Sequence, residues 1–405
     1  MKINMRVSII RLFLPVLMFL CWAGSVSANG GQLPAIRGEA AILIDARTGA
    51  VVYDNNGDKR MYPASITKIV TGILALEDSN LADIVKVSKE ARNEEGTRVF
   101  LAEGEEVPME KLVYGLLVNS GNDAATAIAE HMDGSKEQFA NRMNAFVKEK
   151  LGLTQTNFTN PHGLPDSNHY TTARDMAIIA KYAMENETFR TIVSTRNKPW
   201  VGKEWVSELV NHNKLLSSYE GATGIKNGYT NASGFTLVSS AQRGDTELIG
   251  VILKSSSSDE IYSDMAALLD YGFERVETIK IMDEGVEQNF SVNGEEKPFH
   301  SNAAIWMTAE KGTTPALAAD ESGNLYVRNS SLYKLDQSIA SLRPLFLSEA
   351  PNLLEAAAEV EITPPIDKKS PWAIMVTIFW FLQLLFMLFV LLAKRRKRLT
   401  QKFRS

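Results

Sequence analysis

Cysteine is almost absent from this 405-residue chain: the only one, Cys21, lies inside an apolar run near the amino terminus. No disulfide therefore supports the fold, and no cysteine cluster is available for a metal. Histidine is scarce as well. His131, His162, His169, His212 and His300 are the full set, and none forms an H-x-x-x-H pair. We expect no metal and no cofactor. Low-complexity tracts and internal repeats are missing too, which excludes fibrous and solenoid architectures. The centre of the chain is short of positive charge. Lys2, Arg6 and Arg11 stand at one end and Lys394, Arg395, Arg396, Lys397, Arg398, Lys402 and Arg404 at the other, with no acid in either segment. Between them 33 basic residues face all 48 acidic ones, a net charge of −15. Such a balance argues against nucleic acid as a partner.

The two ends point to a membrane. Residues 1–28 read as a signal peptide: a basic start, an apolar run from Leu12 to Ala23, and Val26-Ser27-Ala28 as a cleavage site. Residues 372–393 form an uncharged run of 22 residues, which as a helix spans roughly 33 Å, enough for a transmembrane segment. Trp372 suits one interface, and the basic tail 394–405 marks the cytoplasmic side. The expected localisation is therefore the cell membrane, single-pass, with an extracytoplasmic body and a substrate outside the cell.

Within the body, Ala40–Asp45 and Ala50–Tyr53 read as strands joined by Arg47-Thr48-Gly49. A buried helix is expected from the Pro63-Ala64-Ser65 stretch, with Ile66, Ile69, Val70, Ile73 and Leu74 on one face. Further helices are expected over 108–118, from Asp123 to Met132, over 136–151, and from a capping box at Thr172-Ala173-Arg174-Asp175 to Met184. Strands at 224–229, 234–243 and 246–254 and a helix over 259–273 complete this part. Strands at both ends with helices between imply an α+β fold whose antiparallel sheet is built from distant segments and covered by helices. The expected organisation is a catalytic domain over 33–275, a small β-rich domain over 276–350, a linker over 351–371, and the transmembrane helix.

The chemistry begins at Ser65-Ile66-Thr67-Lys68. Residues three apart are neighbours on a helix, so Lys68 can reach the Ser65 hydroxyl. Serine is a poor nucleophile until a base takes its proton, and lysine is that base only when burial or a second cation lowers its pKa. Ser120-Gly121-Asn122 lies in a break between two helices, and Lys226-Asn227-Gly228 lies on a strand. S-x-x-K, S-x-N and K-T-G in this order are the motifs of penicillin-recognising serine enzymes. With the Asn160-Pro161-His162-Gly163-Leu164 loop and the segment His169–Ala177, the chain from about Leu33 to Arg275 resembles the low-molecular-mass D-alanyl-D-alanine carboxypeptidases, penicillin-binding proteins of the bacterial envelope.

The resemblance implies a serine β-lactamase/penicillin-binding-protein-like fold. It implies a peptidoglycan stem peptide ending in D-Ala-D-Ala as substrate and acylation by β-lactams. By position, Ser65 is the implied nucleophile and Lys68 its base. Ser120 would relay a proton to the leaving D-alanine, Asn122 would hold the peptide amide, and Lys226 would attract the terminal carboxylate. The backbone N–H groups of Ser65 and Tyr229 would form the oxyanion site. Asn227 departs from the family's Thr or Ser, whose hydroxyl bonds the substrate carboxylate; an amide can also donate there. Two alternatives keep the same motifs. A β-lactamase-like hydrolase is disfavoured because no Glu occurs between Lys150 and Met184 to serve as the deacylating base. A penicillin-binding sensor or scaffold with little turnover finds its support in Asn227.

Overall fold

The computed structural model describes residues 33–346, and Gln383 in isolation. The leader over 1–28, the linker over 351–371, the 372–393 span apart from Gln383, and the basic tail lie outside the described residues. Among the described residues no helix is long and apolar enough to cross a membrane.

β1 (Ala40–Asp45) and β2 (Val51–Asn55) form the expected hairpin. A 3-10 turn, Ala64–Thr67, runs directly into α1 (Lys68–Asp78). β3 (Ile84–Lys86) and β4 (Glu106–Pro108) pair around the short α2 (Lys89–Arg92). Next come α3 (Met109–Leu117), α4 (Asn122–Asp133) and α5 (Lys136–Ala145), which widens into a π turn over Phe146–Lys150. α6 (Ala173–Met184) starts at Thr172, whose hydroxyl accepts the Asp175 N–H as the capping pattern requires. The sequence did not disclose the next elements: α7 (Glu187–Ser194), the hairpin of β5 (Asn197–Val201) and β6 (Val206–Val210), and α8 (Leu215–Ser218). In that hairpin the outward residues Val201, Val206 and Val210 are exposed while Trp200 and Leu209 are buried. Apolar residues on both faces erase the period-2 signal. β7 (Ala222–Thr230), β8 (Gly234–Arg243), β9 (Thr246–Ser255) and α9 (Ser258–Arg275) follow as expected.

The main sheet has the order β2-β1-β9-β8-β7, antiparallel throughout, so the amino-terminal hairpin joins, through β9, strands from late in this part of the chain. All six residues of β1 are buried, because both faces of the sheet are covered. Ile42 and Ile44 point with Val238, Ile249 and Val251 into the core holding Ile66, Ile69 and Ile73. Ala41 and Leu43 point the other way, with Leu237 and Ile252, onto Met265, Leu268 and Leu269 of α9. The sheet thus presses α1, and with it the Ser65 turn, against its end strand β7. From β10 (Val276–Met282) to β17 (Arg343–Pro344) the described chain is strand only, in sheets of two and three strands. A buried contact ties this segment to β1, where the Thr278 hydroxyl donates to Asp45.

Candidate active site

Ser65 lies in the 3-10 turn and not yet in the α-helix that the spacing suggests. Three residues per turn place positions 65 and 68 one above the other, and Lys68 Nζ is 3.1 Å from Ser65 Oγ. The turn is held from two sides. Ala64, just before Ser65, has left-handed backbone at φ +51°, a cost tolerated only where surroundings fix it. Thr236 Oγ1 on β8 donates to the Pro63 carbonyl at 2.8 Å. Gly228 of β7 lies so close that an added Cβ would sit 2.6 Å from the Ser65 nitrogen. Any other residue at position 228 would push the edge strand off the Ser65 N–H.

Lys68 is 0% exposed. Its Nζ meets three oxygens: Ser65 Oγ, Asn122 Oδ1 at 2.6 Å and the His162 carbonyl at 2.8 Å. None is a carboxylate. Burial above all, and then Lys226, holds the Lys68 pKa well below the ordinary lysine value, against an opposite pull from Asp123 and Glu94. A neutral amine has two N–H donors and one lone pair. With the donors on Asn122 and His162, the lone pair faces the Ser65 hydroxyl. Lys226 is buried too, and burial lowers its pKa to about 7. Its Nζ donates to its neighbour's carbonyl, Asn227 O, at 2.9 Å and lies 3.3 Å from Asn227 Oδ1.

Ser120 is buried between α3 and α4, with left-handed backbone at φ +65°. Asn122, expected to meet a peptide amide, has both ends of its own amide engaged inside the protein: Oδ1 takes Lys68 and Nδ2 donates to the Glu95 carbonyl at 2.6 Å. Tyr229 follows Gly228 on the edge strand, with its ring exposed and 4.5 Å from that of Phe235. Asn227 and Tyr229 line a cavity of about 340 Å³ together with Asn211, His212, Lys214 and Tyr262. The Asn211-His212-Asn213 stretch, which reads as turn chemistry, does more than turn. Asn213 Nδ2 donates to the Gly224 carbonyl at 2.6 Å, anchoring β7, and His212 is among the residues that line the cavity with Asn227. Arg243 lies at the far end of β8 from Thr236, paired with Asp270 at 3.1 Å. Trp200 is core, and Trp205 packs edge-on against Phe100 at 5.5 Å.

Two acids escaped the sequence reading. Asp123 is buried and accepts the backbone N–H groups of Val99, Leu101 and Ala124 at 2.9–3.1 Å, which clamps the 94–101 loop to α4. Its signal was an acid directly after Ser-Gly-Asn at a helix start. Glu94, discussed below, had none. His169 ties its loop together: its Nδ1 accepts the Thr159 N–H at 3.1 Å, leaving Nε2 to donate to Thr67 Oγ1 at 2.9 Å. Burial, with His162 nearby, lowers the His169 pKa to about 3. Its folded value lies below the unfolded one near 6.5, so its contribution to stability is complete above about pH 6.5 and falls as the pH drops toward 3. We expect thermal unfolding between pH 6.5 and 5, above the carboxylate range, to lose up to about 1.4 kcal/mol per pH unit from this group. His169→Gln should flatten that slope; an unchanged slope would show that His169 is not its source. Among the described residues no group of His, Cys, Asp and Glu is placed to hold a metal ion.

A serine facing a buried, carboxylate-free lysine, on an antiparallel sheet walled by helices, defines an active-site serine hydrolase of the penicillin-binding-protein type. A family model described as D-alanyl-D-alanine carboxypeptidase, peptidase family S11, matches residues 27–257. The chain belongs to this family and is a serine-type D-alanyl-D-alanine carboxypeptidase. The D-alanyl-D-alanine carboxypeptidase DacF of Bacillus subtilis is 36% identical over 275 residues, 65% of this chain and 70% of that protein. Among solved structures, penicillin binding protein 5 from Haemophilus influenzae superposes with a TM-score of 0.67 at 28% identity, covering 78% of this chain and 98% of that one. The Streptomyces K15 DD-transpeptidase does so with a TM-score of 0.57 at 32% identity, covering 60% and 99%.

Proposed function

We propose that the enzyme trims peptidoglycan stem peptides through an acyl-enzyme on Ser65, and that penicillin acylates the same hydroxyl. Lys68, as the neutral amine, takes the Ser65 proton while Oγ attacks the carbonyl of the penultimate D-alanine. The resulting oxyanion faces the N–H groups of Ser65 and Tyr229. The proton passes through Ser120 to the nitrogen of the leaving D-alanine, the C–N bond breaks, and water later hydrolyses the ester. Lys226 and the Asn227 amide are assigned to the terminal carboxylate of the substrate. The edge strand β7 supports this pose, since an extended peptide can lie along an unpaired strand. The signal peptide and the 372–393 run support an extracytoplasmic body tethered to the membrane, and the strand-only segment is read as a small second domain.

One observation carries the reading: a fully buried lysine whose nitrogen meets the Ser65 hydroxyl and two carbonyl-type oxygens but no carboxylate. Fluorescent penicillin on the purified ectodomain, followed by digestion and mass mapping, should place the adduct on the peptide containing Ser65. A pentapeptide ending in D-Ala-D-Ala should release D-alanine steadily. An adduct elsewhere would refute the nucleophile. Acylation without steady release would favour the sensor reading that Asn227 raises.

A further inference from the structure

The loop before β4 carries a carboxylate that the chemistry above leaves idle. Glu94 is only 8% exposed, a rare place for an acid without a purpose. Its Oε2 accepts Thr126 Oγ1 of α4 at 2.7 Å and Lys136 Nζ of α5 at 2.9 Å, and lies 3.5 Å from His162 Nε2. The buried His162 ring accepts the Leu164 N–H at Nδ1, 3.3 Å away. A neutral ring accepting at Nδ1 carries its proton on Nε2, the side facing Glu94. The carbonyl of the same His162 holds Lys68 Nζ. The next residue of the loop, Glu95, offers the carbonyl that fixes Asn122 Nδ2, and Asn122 Oδ1 is the other oxygen on Lys68. Of the two partners that orient the Lys68 amine toward Ser65, Asn122 is anchored on the Glu95 carbonyl, and His162 presents Nε2 to Glu94 at 3.5 Å with no other polar partner.

We infer that Glu94 is a positioning residue for the carboxypeptidase reaction, holding His162 and the 94–95 backbone so that the two oxygens on Lys68 keep its lone pair on Ser65. The inference rests on the reading of Lys68 as the base. The charged and titratable groups around Lys68 are Lys226 from β7, Asp123 from α4, Glu94 from its loop, His162 and His169 from the loop before α6, and His212 from the segment before α8, with Lys136 and its second partner Glu90 behind Glu94. Removing the negative charge of Glu94 leaves Lys136 with Glu90 as its one remaining carboxylate, at 2.9 Å, and loosens the His162 carbonyl. All three changes disfavour protonated Lys68, so the acid limb of the acylation profile moves to lower pH.

The test is the second-order rate of fluorescent-penicillin acylation against pH for the full ectodomain and its Glu94→Gln, Glu94→Asp and Lys68→Met variants, each normalised to titrated active sites. Glu94→Gln should move the acid limb down by about half a pH unit or more and lower the plateau roughly three- to thirtyfold through a less well aimed amine. Glu94→Asp, which keeps the charge on a shorter arm, should restore the limb more than the plateau. A merely structural Glu94 would lower the melting temperature and the active fraction but leave the limb in place, and that result overturns the proposal. Wild-type rates surviving Lys68→Met would instead overturn the base assignment beneath it.

Discussion

Replacing Lys68 by methionine is expected to lower the rate of Ser65 acylation by about 10²- to 10⁴-fold, the range a positioned base supplies, with little change in melting temperature. Methionine fills the same channel without a lone pair, so Ser65 keeps its place and loses its proton acceptor. Two terms of opposite sign act on stability. Removing a buried amine relieves its desolvation, while the Asn122 Oδ1 and His162 carbonyl lose a donor, each at about 1–3 kcal/mol. The activity should therefore collapse out of proportion to the fold. Stopped-flow acylation paired with calorimetry would check this, and acylation within tenfold of wild type would remove Lys68 from the mechanism. In the wild-type enzyme the rate should rise with pH as Lys68 deprotonates, along a limb lying well below the ordinary lysine range because burial and Lys226 disfavour the ammonium.

The second large effect is expected at a glycine with no chemistry of its own. Gly163 has φ +90°, and a Cβ there would sit 1.9 Å from the Ala64 carbonyl oxygen. That neighbour is backbone, so relief requires moving either the nucleophile's turn or the loop whose preceding residue, His162, holds Lys68. Gly163→Ala should cost about 1–3 kcal/mol from overpacking, with about 1 kcal/mol more from the left-handed backbone. It should also lose on the order of 10² in kcat/KM through misplacement. Gly104→Ala is the control: φ is +71° with nothing within 4 Å of the added carbon, so it bears the backbone cost alone. Equal behaviour of the two variants would mean that the Ala64–Gly163 contact does not set the site.

Much of this was legible before any coordinates. The strands over 40–45, 224–229, 234–243 and 246–254 and the helices between carried their own periodicities and caps, and the three motifs carried the order of a site. What stayed hidden was whatever depends on two faces or on distant partners. The β5–β6 hairpin was silent because valines on its outer face match the tryptophan and leucine inside. The 3-10 turn at Ser65 is packed against Gly163, nearly a hundred residues away, and is bonded at Pro63 by Thr236 on β8. Glu94 reads in sequence as one acid of a turn, and only the meeting of α4, α5 and the 160–164 loop brings it to His162. Asn227 was visible as a departure, but the proximity of its amide oxygen to Lys226 was not.

The open edge of β7 has a consequence for how the protein behaves in company. An unpaired strand invites any passing extended chain, including that of a second copy, and natural sheets guard such edges with inward-pointing charge. Here the guard is Lys226. A strand arriving from a neighbour would bring no anion to satisfy that buried amine, whereas a peptide ending in a carboxylate would. The lysine proposed to take the substrate carboxylate would thus also protect the edge against self-association.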